Sequence, residues 1–225
     1  MSLLSRKEEF WKRFEDSIIE VINLAIEIFN RKDNLPENED DLNRSFYFCL
    51  VDANYRLQKE NRGQSSAPFY EASNQPKIND IIRSAREFKR PDFQWSITDV
   101  HESNPQMSSK QFILECKRLG TAKGTWVFNE NYAYHGVKRF VSEDHSYALG
   151  VESSAMLGYI QSMEVFDVLS EVNVNVDLLK QSAIKPISQN GTTYYLSHKL
   201  KLDYSTQDFR LEHIWLDLRK FYLST

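Results

Sequence analysis

The chain has 225 residues, a formal net charge of −4, 41% hydrophobic and 13% aromatic residues, and only 7 Gly and 6 Pro. This composition is enough for a packed core and excludes fibrous and intrinsically disordered classes. The acidic balance gives no support to a protein that coats nucleic acid over its whole surface.

The opening "MSLLSRKEEFWKRFED" has no apolar core of the kind a secretory signal carries. Residues 7–30 read as an amphipathic helix, with Phe10, Phe14, Ile18, Val21, Ile22, Ala25, Ile26 and Phe29 at three- and four-residue steps. Its apolar stretch "SIIEVINLAIEIF" carries two Glu and is too short to span a bilayer. These features predict a soluble cytoplasmic protein with no membrane partner. "NRKDNLPEN" ends the helix, and a second runs from about Glu39 to Lys59 with Leu42, Phe46, Leu50 and Leu57 on one side. A polar connection follows, with a short strand expected at "PFYEA"; "INDIIRSAREF" reads as helix or strand, with helix favoured. "DFQWSITDV" alternates as a strand does, "HESNPQMSSK" is a turn, and "QFILECKRL" is an apolar strand. "NENYAYHGVKRFVSE" reads as a helix. "YALGVESSAMLGYIQ" reads as a strand with a packing turn at Gly158-Tyr159, and "MEVFDVLSEVNVNVDLLKQS" as a helix. "TTYYLSHKLKLD" and "FRLEHIWLDLRKFYL" close the chain as a hairpin. The order ααβββαβαββ predicts an α/β layer structure in a single domain, residues 1–225. Trp11, Trp95, Trp126 and Trp215 are expected in the core or at an interface.

Charge is uneven along the chain. Residues 1–60 hold 9 Lys and Arg against 13 Asp and Glu, whereas residues 110–140 hold 6 against 2. The two cysteines, Cys49 and Cys116, make neither a disulfide framework nor a zinc site. The basic stretch surrounds Glu115-Cys116-Lys117, at the end of an apolar strand. Alternation puts Glu115 and Lys117 on one face and Cys116 on the other, with Leu114 and Phe112. If the two strands of residues 92–119 pair as a hairpin, Asp92 at the start of one lies beside the end of the other. Two carboxylates so placed repel unless a cation lies between them, and oxygen ligands suit Mg²⁺. A neighbouring lysine can orient water and steady a phosphate. The bland alternative is a surface ion pair. Asp99, by the turn, is the decoy acid.

Pro91-Asp92 followed by Glu115-x-Lys117 resembles the PD-(D/E)xK nuclease superfamily, which includes many restriction endonucleases. The likeness to uncharacterised bacterial members runs through "KRPDF", "ECKRLG", "GVKRF", "MLGYI", "YLSHKL" and "HIWLDLR", over roughly residues 36–220, with the first helix (1–35) outside it. The resemblance implies a restriction-endonuclease-like core, a central mixed sheet flanked by helices with an added N-terminal helix. It implies a Mg²⁺-dependent phosphodiesterase (Mn²⁺ substituting), a deoxyribonuclease of endonuclease type, acting in bacterial defence or a mobile element. Asp92 and Glu115 would bind the metal with the Cys116 carbonyl, and Lys117 would position the attacking water. Glu39, with Glu37 second, would complete the site from the preceding helix, although a carboxylate there also serves the helix dipole. Lys138, Arg139, Lys123 and Arg118 are candidates for nucleic-acid contact. His198 and His213 are possible accessory residues, set against the reading of hydrogen-bonded structural histidines; His135 is a weaker candidate. DNA is the expected partner, and a homodimer or a partner subunit would supply targeting. The alternative is a catalytically weak, nuclease-like module that binds nucleic acid or a partner.

Overall fold

The computed structural model describes residues 3–76 and 85–222. The chain forms two compact units, Met1–Ile113 and Leu114–Thr225, with the boundary inside a strand. Its seven strands belong to one mixed open sheet in the order β1-β2-β3-β4-β7-β6-β5, so the class is α/β. Among the described residues no helix is long and apolar enough to cross a membrane.

The first unit starts with α1 (Leu3–Asn30) and α2 (Glu39–Lys59). The buried stripe of α1 is Trp11, Phe14, Ile18, Val21, Ile22, Ala25, Ile26 and Phe29. Trp11 takes the inward place expected of Phe10, which is half-buried. The Asn38 side chain caps α2 by accepting from the Asp41 N–H at 2.8 Å, and Glu39, Asp40 and Asp41 put negative charge at the positive end of the helix dipole. Leu42, Phe46, Cys49, Leu50, Ala53 and Leu57 are buried along α2. Each Val, Leu, Ile or Phe side chain so covered contributes about 1.5–3 kcal/mol. Phe46 meets Phe29 edge-on at 5.4 Å and Phe93 at 6.2 Å. Trp95 and Trp11 both pack on Phe112, at 6.3 and 6.5 Å.

The short β1 (Phe69–Tyr70) pairs antiparallel with β2 (Phe93–Thr98). The expected helix of residues 78–88 lies largely outside the described residues; Ala85–Phe88 form one 3₁₀ turn. The connection to β3 (Ser109–Leu119) closes with the Asp99 N–H on the Ser108 carbonyl at 2.7 Å.

In the second unit the end of β3, β4 (Ser153–Ile160) and β7 (Asp208–Asp217) run parallel. β6 (Thr193–Lys201) pairs antiparallel with β7, as the closing hairpin predicts, and β5 (Lys185–Asn190) adds an antiparallel edge strand that the sequence reading lacks. β4 is buried along its whole length. The turn expected at Gly158-Tyr159 does not exist, because both residues lie inside β4. A Cβ on Gly158 would come within 2.5 Å of Leu119 Cδ1 and 2.6 Å of Trp215 Cδ1, so the glycine leaves room for side chains of both flanking strands.

Between β3 and β4 the chain forms one continuous helix in three parts: α3 (Phe128–Tyr132), a π turn (Ala133–Val137) and α4 (Lys138–Val141). The Lys138 N–H reaches back five residues to the Ala133 carbonyl. Its buried positions are 128, 129, 132, 133, 136, 137, 140 and 141, a step of four. A straight α-helix would drift off that step by about 40° per turn, because 3.6 residues complete one turn. The wide turn absorbs the drift. α5 (Val165–Leu178) buries Val165, Val168, Val172 and Val176.

Candidate active site

The parallel register sets Glu115 opposite Met156 and Lys117 opposite Gly158. Glu115 and Lys117 share a face, as strand alternation requires. The Lys117 Nζ lies 3.0 Å from Glu115 Oε1 and donates to the Cys116 carbonyl at 2.6 Å. Arg139 Nη1, from α4, donates to the same Oε1. Two cations therefore meet one carboxylate oxygen. The other oxygen, Oε2, is buried and has no hydrogen-bond partner among the described residues.

This group is deeply set: Glu115 is 0% exposed and Lys117 7%, while the Arg139 side chain is 27% exposed. A buried carboxylate is tolerated when charge and hydrogen bonds compensate it, and removing one partner leaves an uncompensated charge. The helix can bring Arg139 to β3 because Gly136 has no side chain. A Cβ there would stand 2.2 Å from Met156 Cε and 3.5 Å from Lys117 Cγ, so the lysine stem runs beneath the glycine. Cys116 lies on the opposite face, is buried, and is not part of a disulfide.

A second buried polar group lies in the same unit. Trp215 Nε1 donates to the Tyr132 oxygen at 2.9 Å, and Tyr132 O lies 2.7 Å from His213 Nδ1. An indole only donates, so the phenol hydrogen is free to go to His213 Nδ1, which leaves that ring protonated on Nε2. The His198 ring is tilted against it at 5.6 Å. Among the described residues, neither nitrogen of His198 nor His213 Nε2 makes a hydrogen bond of good geometry, although the Ser182 main chain lies near His198 and opposes the effect of its burial. Burial pushes His198 down to about 4 and His213 well below the ordinary histidine value, the latter helped by the charge of His198. Burial likewise raises the Tyr132 phenol, whose surroundings include the charges of Cys116 and Lys117.

Asp92 and Glu39 belong to the first unit. Asp92 lies just ahead of β2, with its carbonyl accepting from the Glu71 N–H at 3.0 Å. The Tyr70 hydroxyl is raised by burial, by its hydrogen bond to Glu71 and by the charges of Glu71, Asp92 and Asp40. Asp92 and the acidic start of α2 thus act on one tyrosine. Glu39 opens α2 and is half-buried, whereas Glu37 is exposed. Asp99 is buried and shapes the turn, with Oδ1 accepting from the His101 N–H at 2.9 Å.

The remaining cations are dispersed. The Arg118 guanidinium lies 4.4 Å from the Phe128 ring centre. Lys123 is exposed on a small turn closed by paired main-chain bonds to Trp126 at 2.9 and 3.1 Å. Lys138 and His135 are exposed on the helix that carries Arg139.

The donors on β3 fit a hard cation in kind. Glu115 Oε2 and the Cys116 carbonyl are both oxygens, and Mg²⁺ commonly keeps several waters beside one or two protein ligands. Among the described residues, no three His, Cys, Asp or Glu side chains gather as a metal-holding group. Sequence reasoning named Arg139 as a phosphate contact and missed its pairing with Glu115. The usable signal was "HGVKR", which sets a glycine three residues before a cation on the helix that follows the ExK strand. No family model, curated protein or solved structure matches the chain.

Proposed function

We propose that the chain is a Mg²⁺-dependent nuclease with a restriction-endonuclease-like core, hydrolysing phosphodiester bonds in DNA. The observation that supports this reading is the Glu115–Lys117 pair: a fully buried carboxylate with one bare oxygen, beside an ammonium held by Glu115 Oε1 and the Cys116 carbonyl. Glu115 and the Cys116 carbonyl would hold the metal, and the reading requires Asp92, with Glu39, to supply the other carboxylates. Mg²⁺, when bound, supplies a Lewis acid that offsets charge on the phosphate and the leaving oxygen. Lys117 orients the attacking water and steadies the phosphate through its charge. Lys138 and Lys123, exposed in the same unit, engage the nucleic-acid backbone. Burial of Glu115 away from bulk water strengthens these interactions. Cytoplasmic defence against foreign DNA, with a second copy or a partner supplying targeting, is the setting this activity implies.

A second reading, a module that holds nucleic acid and cuts weakly, draws on the Arg139–Glu115 contact, which leaves the carboxylate compensated by the chain itself. The test is incubation of plasmid, single-stranded DNA and RNA with the purified chain in Mg²⁺ or Mn²⁺. Parent protein should nick or linearise plasmid, and Glu115→Gln and Asp92→Ala should abolish cleavage. Lys117→Met should lower the rate by about 10²–10⁴, the range of a lost acid–base group, while binding is retained. Binding without cleavage by the parent favours the second reading, and cleavage by Glu115→Gln at the parent rate defeats the first.

A further inference from the structure

Resting on that reading, we infer that Arg139 is a positioning residue that occupies Glu115 until a phosphate draws it away, so that it competes with the divalent ion for this carboxylate. The contacts at Glu115 are asymmetric. Among the described residues, Lys117 and Arg139 both contact Oε1, and Oε2 is left bare although it is buried. The two cations differ. Lys117 is nearly enclosed and is also held by the Cys116 carbonyl at 2.6 Å. Arg139 stands on the helix, its side chain 27% exposed against 8% for Lys117, next to the exposed Lys138. Of the two, the guanidinium is therefore the one able to change partners. A planar guanidinium also pairs as readily with a phosphate as with a carboxylate.

Two consequences follow from charge alone. A guanidinium on Oε1 repels a divalent cation arriving at Oε2 across a poorly screened space. A phosphate that takes Arg139 removes this repulsion, so nucleic acid and divalent ion should favour each other's binding, and the coupling must be reciprocal.

The experiment is titration of the full chain with Mn²⁺ by calorimetry, with electron paramagnetic resonance counting bound ion. It uses parent, Arg139→Lys, Arg139→Gln, Arg139→Met and Glu115→Gln, each checked for folding by circular dichroism. The two neutral variants stand in for each other if one does not fold. Parent should bind Mn²⁺ and Glu115→Gln should not. Arg139→Gln or Arg139→Met should bind about tenfold more tightly, as expected when a nearby like charge is removed, while Arg139→Lys stays near parent. A non-cleavable phosphorothioate oligonucleotide should tighten Mn²⁺ binding to the parent several-fold and leave the neutral variants little changed. Glu115-dependent Mn²⁺ binding that is unchanged or weakened in the neutral variants overturns the role of Arg139 and leaves the nuclease reading standing. Mn²⁺ binding that Glu115→Gln does not alter, or no binding at all, removes the metal site itself and both proposals with it.

Discussion

Gly158 and Gly136 are both crowded, but by atoms of different freedom. A Cβ added at Gly158 would meet Leu119 Cδ1 at 2.5 Å and the rigid Trp215 ring at 2.6 Å, inside a fully buried strand. A Cβ added at Gly136 would overlap chiefly the end of the flexible Met156 side chain. Gly158→Ala should therefore destabilise by about 1–3 kcal/mol, the usual cost of overpacking, and Gly136→Ala by less, because methionine repacks easily. Urea midpoints of the two variants compare them directly, and a larger loss at Gly136 would contradict this ordering. Neither contact is legible in the sequence. "MLGY" reads as a turn because glycine is a strong local turn signal, and only the strand register reveals the tryptophan across from it. Glu115 and Lys117 are legible, since alternation along an apolar strand puts them on one face without any tertiary knowledge.

At the level of elements, β6 and β7 bring two imidazoles together in a buried place. An unfolded histidine takes a proton near pH 6.5, whereas His198 in the folded chain does so near about 4. Between those values the unfolded chain binds more protons, so the penalty begins as pH falls through about 6.5 and is complete for His198 below about 4. His213 has the same sign. Stability should fall between pH 7.5 and 5.5 by on the order of 1 kcal/mol for each imidazole. His198→Leu should flatten the dependence of the urea midpoint over that window, and an unchanged slope would show that the pair is not the source. The hairpin itself follows from the sequence, because both strands are apolar and share a turn-rich connection. The approach of the His198 ring to that of His213, which lies opposite Leu196, does not, since register depends on the far end of each strand. The helix between β3 and β4 is legible too, but its π turn is not, and that turn sets which side chains face the sheet.

For the whole molecule, the chain order of helices and strands is legible from periodicity, while the unit boundary inside β3 leaves no trace in composition. The edge strand β5 is hidden for a physical reason. "KPISQN" is exposed along its length, has no apolar alternation and contains a proline. Its pairing with β6 shifts register between Pro186 and Ser188. Proline cannot donate to a neighbouring strand, and a bulge bends an edge away from flat contact. The feature therefore bears on colloidal behaviour. With net charge only −4, long-range repulsion between copies is modest, and a straight open edge carrying exposed Ile187 would be a template for sheet growth. Pro186→Thr should restore a continuous edge, leave the melting temperature equal or higher, and bring light scattering on at lower protein concentration during mild heating. If the variant scatters no sooner than the parent, the proline and its bulge do not keep the copies apart.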